Sequence, residues 1–178
     1  GFIRFIIFLI IELKELLTMA YINIPDGEDP ERIRLWKMVP DMNNAIQAFS
    51  SSMFTSGIIS NREREAARFR IAQINECDIW LSTRTVRSAQ DTLSEKQYAD
   101  VHLYEESDEY STREKLAIEF AELFCLSPDL LNANFFQRMQ DHYDDKEIVE
   151  LAGTIAFCLG FGRVSKVLNI ANECPVRH

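Results

Sequence analysis

The feature that most constrains this chain is a recurring pair: a capping residue, then a carboxylate or amide three positions on. Ser60 is followed by Glu63, Ser94 by Gln97, Ser111 by Glu114 and Asp144 by Glu147. In such a pair the first side chain accepts from the backbone amide of the second residue, and the second reaches back to the amide of the first. Two donors that a helix start leaves orphaned are satisfied together. Ser127-Pro128 adds a capping serine with proline at the first helical position, where the missing N–H is not needed. One match means little, because serine and glutamate are common. The recurrence carries weight because each pair stands ahead of an apolar-periodic segment.

Leu116, Phe120, Leu123 and Phe124 make one stripe over 112–125. Leu131, Phe135 and Met139 recur at every fourth position over 128–142. Ile148, Leu151, Ile155, Leu159 and Phe161 face inward over a long apolar segment, 145–172. Gly160 and Gly162 interrupt that segment, either for close helix packing or for a bend. Trp36, Val39, Ile46 and Phe49 mark a further helix over 31–50, in which Pro40 predicts a kink or a break near Val39. Residues 21–31 read as an extended, turn-rich arm with Pro25-Asp26-Gly27 at its centre. No period-two strand stands out. The fold class is all-α, with roughly six to eight helices.

The 178 residues suit one domain with a sizeable core. A net charge of −9 without a basic patch excludes nucleic acid and anionic membranes as main partners. The cysteines Cys77, Cys125, Cys158 and Cys174 match no zinc spacing, and His102 and His142 have no second ligand near them. No metal and no cofactor are expected, and free thiols in a reducing cytoplasm are the default. Residues 1–20 form an apolar amino-terminal extension ahead of a single domain, 21–178. Its apolar run is too short to span a bilayer, so stable membrane insertion is not expected. Two readings of it stand. Either Met19-Ala20 marks the natural start, or the extension is an amphipathic helix that packs on a partner subunit.

The stretch NREREAARFRIAQINECDIWLSTR holds the candidate chemistry. Cys77 follows Asn75, which can cap a helix beginning near Glu76, and a helix start favours a thiolate. Arg84, seven positions on, would then lie two turns along the same face. Glu65, twelve positions before Cys77, can reach it only across a bend. The bland readings are a small buried cysteine, an ion-paired helix glutamate with Arg62, Arg68 and Arg70 close by, a core tryptophan at Trp80 and a surface arginine at Arg84.

This stretch resembles the signature helix pair of the carboxymuconolactone decarboxylase and alkylhydroperoxidase D-like family. There a glutamate in a run like "RERE" precedes a Cys-x-x-Cys-x-x-x-His motif by twelve residues. The segment DDKEIVELAGTIAFCLGFGRVSKVLNI resembles the family's closing helix. The resemblance spans roughly residues 35–172 and implies an all-α, alkylhydroperoxidase D-like helical domain that forms homo-oligomers, as dimers or trimer-based assemblies. It puts Glu65 at the family's glutamate and Cys77 at its first cysteine, as catalytic candidates. Trp80 stands in place of the second cysteine and Arg84 in place of the histidine, as candidates for lining a small substrate pocket.

In the peroxidase members the two cysteines cycle between dithiol and disulfide. A hydroperoxide oxidises the first thiolate to a sulfenic acid, and the second thiol must resolve it. Trp80 cannot do that, and nothing in the sequence places Cys125 or Cys158 nearby, so two-cysteine peroxidase activity is expected to be weak or absent, with a one-cysteine cycle using an external thiol left open. Arg84 can bind a carboxylate but cannot shuttle a proton. The alternatives are a decarboxylase or lactone-type enzyme using Glu65 as base on a small carboxylate, and a non-catalytic oligomeric binding protein.

Overall fold

The computed structural model describes residues 19–55, 57–85 and 91–170. Readings that fall on residues 1–18, on Cys174 and on His178 lie outside them. Among the described residues there are eight α-helices, two short 3-10 turns and no strand. The helices are α1 (Glu31–Lys37), α2 (Pro40–Thr55), α3 (Asn61–Asn75), α4 (Asp78–Ser82), α5 (Glu95–Asp100), α6 (Thr112–Leu126), α7 (Ala133–Gln140) and α8 (Asp145–Val167). The all-α expectation holds.

Local chemistry explains most of the boundaries. The chain breaks at Met38 and Val39, and Pro40 opens α2. A proline suits a first helical turn and bars the residue before it from helical geometry. All four capping boxes form in both directions, at Ser60, Ser94, Ser111 and Asp144. The reading at Ser127 is corrected. Its amide donates to the Leu123 carbonyl at 2.8 Å, so it terminates α6, and its side chain caps nothing. Residues Pro128–Leu130 make a 3-10 turn, and α7 starts later, where the Asn132 side chain accepts from the amides of Asn134 and Phe135.

Three helices run side by side in one direction. Arg62 pairs with Glu114 and Arg70 with Glu122, each at 2.6 Å, so α3 and α6 keep one register along their length. Arg64 meets Glu150 near the start of α8, and Asn75 meets Leu159 and Arg163 near its end, so α3 and α8 do the same. The capping-box carboxylates do double service where the three helices begin. Arg113 bridges Glu63 at 2.6 Å and Glu147 at 2.7 Å, while Glu114 takes Arg62. Like-directed dipoles repel side by side, and this knot places acid at their positive ends.

The main core lies between α3, α6, α7 and α8, around Ala67, Ile71, Phe120, Met139, Leu151 and Ile155. A second, smaller core joins α3 to α5 and the following turn through Phe69, Tyr98, Val101 and Tyr104. Of the two α8 glycines singled out in the sequence, Gly162 serves close packing: a Cβ there would stand 2.9 Å from Asn75 Nδ2. Among the described residues, Gly160 has nothing within 4 Å of where its Cβ would be. The helix runs through both without ending. By length and composition α8 is also the one described helix that could cross a membrane.

Candidate functional site

The hairpin that carries Cys77 is made by one left-handed residue. Helix α3 ends at Asn75, and Glu76 closes it with φ 51° and ψ 45°. The amide of Cys77 still bonds back to the Ala72 carbonyl at 3.0 Å, while Cys77 itself is extended and caps the five-residue α4. The expected cap at Asn75 is therefore corrected. Asn75 is a buried last turn of α3, donating to the Leu159 carbonyl at 3.3 Å and accepting from Arg163 at 3.2 Å. A left-handed linker was needed to reverse the chain, and the asparagine was better used to hold α8.

Cys77 is buried, at the start of α4. Arg84 does not share its helix, because α4 ends at Ser82 and Thr83 is extended. Trp80 is half-buried on α4. The bend that Glu65 required is present, but its carboxylate is engaged elsewhere.

Glu65 is fully buried and accepts five hydrogen bonds. Arg68 donates Nη2 to Oε1 at 2.6 Å and Nε to Oε2 at 2.9 Å, a two-point ion pair one turn along α3. Tyr98 on α5 donates its hydroxyl to Oε1 at 2.8 Å. Thr85 donates its amide to Oε1 at 3.4 Å and its hydroxyl to Oε2. Burial pushes this carboxyl up, but the Arg68 bonds and charge, with Thr85 and Tyr98, pull harder, and it ends below the ordinary range. Tyr98 moves the other way. Burial raises its phenol to about 12, and the Glu65 carboxylate adds to that, so it is a donor at neutral pH.

Arg68 completes the knot. Its Nη1 donates to the Trp80 carbonyl at 2.7 Å and its Nη2 to the Thr83 carbonyl at 3.0 Å. Its guanidinium lies 5.4 Å from the Trp80 ring and 5.6 Å from Phe69. Arg84 sits 3.9 Å over the Tyr98 ring. Its Nε and Nη2 hold the Glu95 carboxylate at 3.0 and 2.9 Å, and Nη1 donates to the Leu81 carbonyl at 2.7 Å. Three of the four candidates, Glu65, Trp80 and Arg84, are thus gathered around Arg68 and Tyr98. Cys77 is tied into the same hairpin through its backbone bonds to Ala72 and Leu81, with its side chain buried.

Sequence reasoning named Arg68 as a neighbour of Glu65 and missed Tyr98 and Thr85. The three-residue spacing of Glu65 and Arg68 is a readable signal. Nothing local announces a tyrosine thirty-three positions away. Cys77, Cys125 and Cys158 are all free. Burial lifts the Cys125 thiol to about 11 and the Cys158 thiol to about 12, the latter despite the opposing charge of Arg68.

No family model matches the chain. An uncharacterised protein of Bacillus subtilis strain 168, YdfG, is 28% identical over 108 residues, covering 60% of this chain and 74% of that protein. Among solved structures, an uncharacterised peroxidase-related protein from Silicibacter sp. TM1040 superposes with a TM-score of 0.67 at 15% identity, over 80% of this chain and 75% of the other. An uncharacterised peroxidase-related protein from Ralstonia eutropha JMP134, described as having the alkylhydroperoxidase AhpD core, superposes with a TM-score of 0.66 at 18% identity, over 79% and 75%. The chain has the AhpD-like helical fold.

Proposed function

We propose that this chain is an AhpD-like protein in which the redox centre is reduced to the single thiol of Cys77, so that two-cysteine peroxidase cycling is weak or absent. The observation that carries this reading is the state of Glu65. A carboxylate that accepts five hydrogen bonds, two of them from a buried guanidinium, is a poor proton acceptor. It is placed to fix the hairpin rather than to activate a thiol. Trp80 and Arg84 support the reading from the other side. An indole cannot resolve a sulfenic acid, and a guanidinium cannot relay a proton. With Cys125 and Cys158 held as protonated thiols at neutral pH, neither is a ready resolving partner.

An acid–base enzyme using Glu65 on a small carboxylate held by Arg84 draws less support, because Arg84 already grips Glu95 and two backbone carbonyls. A non-catalytic, assembling protein is the second reading, favoured by the use of the whole polar constellation to pin α3, α4 and α5 together.

The test is peroxide consumption with a dithiol reductant, wild type against Cys77→Ala. The expected result is a slow rate, within about two-fold of the variant. Rapid turnover that disappears in Cys77→Ala would overturn the proposal.

A further inference from the structure

Cys77 is 6% exposed. A thiol that works alone must meet a hydroperoxide and then an external thiol, and both have to touch its sulfur. The covered sulfur therefore has to be uncovered by movement. The fold offers one segment beside it that is free to move without the rest, the helix that Cys77 itself opens.

Helix α4 is weakly built. Five residues are too few for a helix to hold itself. None of them is buried: Asp78 and Ser82 are exposed, and Ile79, Trp80 and Leu81 are half-buried. Its apolar support is thin. Leu81 packs against the smaller core, and Trp80 Cδ1 lies 3.8 Å from where a Cβ on Gly162 would stand.

What seats α4 is a set of bonds to carbonyls. Arg68 donates to those of Trp80 at 2.7 Å and Thr83 at 3.0 Å. Arg84 donates to those of Leu81 at 2.7 Å and Thr83 at 3.3 Å. The chain is fixed on either side. Before α4, the Cys77 amide bonds to Ala72 and Asn75 is gripped by α8. After it, Thr85 is held by Glu65. Residues 78–83 bridge these anchors, so they lift as a unit while α3 and α8 keep their places.

We propose that α4 is a cover over the Cys77 thiol, latched by Arg68 and Arg84, and that its local opening sets how fast any reagent reaches the sulfur. The two halves of the latch are unequal. Arg68 is committed to the buried Glu65. The Arg84 side chain is 32% exposed and its partner Glu95 79%, and a surface pair of that kind is weak. Arg84 is the half that lets go. The inference rests on Cys77 as the working thiol, but it is read from access and not from turnover.

The test labels the full chain with iodoacetamide at rising urea, below the unfolding transition, and follows each cysteine by peptide mass. Cys158, buried in the main core, reports global opening. Cys77 should label about tenfold or more slowly than in the unfolded chain, with a weak dependence on urea, while Cys158 labelling rises steeply. Arg84→Met should speed Cys77 labelling about fivefold and leave Cys158 unchanged. The Leu81 amide, bonded to the Cys77 carbonyl at 2.9 Å, should exchange faster in the same variant, a readout that does not involve the thiol. Cys77 labelling as steep in urea as that of Cys158 would overturn the proposal, since the thiol would then be reached only by unfolding the whole chain. So would labelling of the folded wild type at the unfolded rate, or an Arg84→Met variant in which neither Cys77 nor the Leu81 amide responds. None of these outcomes depends on peroxide turnover, so failure of the single-thiol reading in its own assay is told apart from failure of the cover.

Discussion

At Glu65 the sequence offers an acid for catalysis, and the fold surrounds its carboxylate with donors from three segments. Its carboxylate joins α3 to the strand-like residues after α4 through Thr85 and to α5 through Tyr98. Its partner Arg68 holds the Trp80 and Thr83 carbonyls. Removing one member of a buried pair leaves the other charged and uncompensated, which costs about 3–5 kcal/mol. Glu65→Gln should therefore lower the unfolding free energy by about that amount at pH 7, read by denaturant titration. The pH dependence has a definite sign. The folded carboxyl titrates below its ordinary 4.5, so its contribution is complete above pH 4.5 and is lost as pH falls through the folded value. The gap between wild type and Glu65→Gln should narrow on acidification, and a gap that stays constant down to pH 3 would count against the ion pair. The remaining thiols give a second check at this scale. With thiols raised to about 11 and 12, Cys125 and Cys158 should alkylate slowly in the folded protein at pH 7 and quickly once it is unfolded.

Between elements, stability rests on close approach and on shared caps. Gly162 lets α8 meet Asn75, and a methyl group there would have to push the amide aside. Gly162→Ala should destabilise the protein by about 1–3 kcal/mol, despite the better helix propensity of alanine. The melting temperature would show it, and a rise would mean that the Asn75 side chain gives way freely. The caps behave differently. Ser111→Ala removes the acceptor for the Glu114 amide and should cost about 1 kcal/mol. Ser127→Ala should cost far less, since the Ser127 side chain caps nothing. Comparing those two serines by chemical denaturation tests which helix starts are real.

For the whole molecule, three like-directed helices fix the frame, and α2 buries only Met53 against it. A monomer would leave Met42, Phe49 and Val149 in water.

What the sequence determined by itself was local. Helix starts at Ser60, Ser94, Ser111 and Asp144 were legible because a capping box closes within four residues, and so was the break before Pro40. Ser127 misled because one serine serves equally well at the end of a helix, and only the chain before it decides which. The site was legible as a list and not as an arrangement. Asn75, Cys77 and Arg84 lie close in sequence, but one left-handed residue, Glu76, sends the first to α8 and opens a new helix at the second. Glu65 and Arg68 announced their pairing by spacing, yet the partners that saturate the carboxylate come from twenty and thirty-three residues away. Only the tertiary structure could show which groups surround Glu65. A buried charge takes its meaning from every donor that reaches it, and donors brought by other helices leave no mark on the residues beside it.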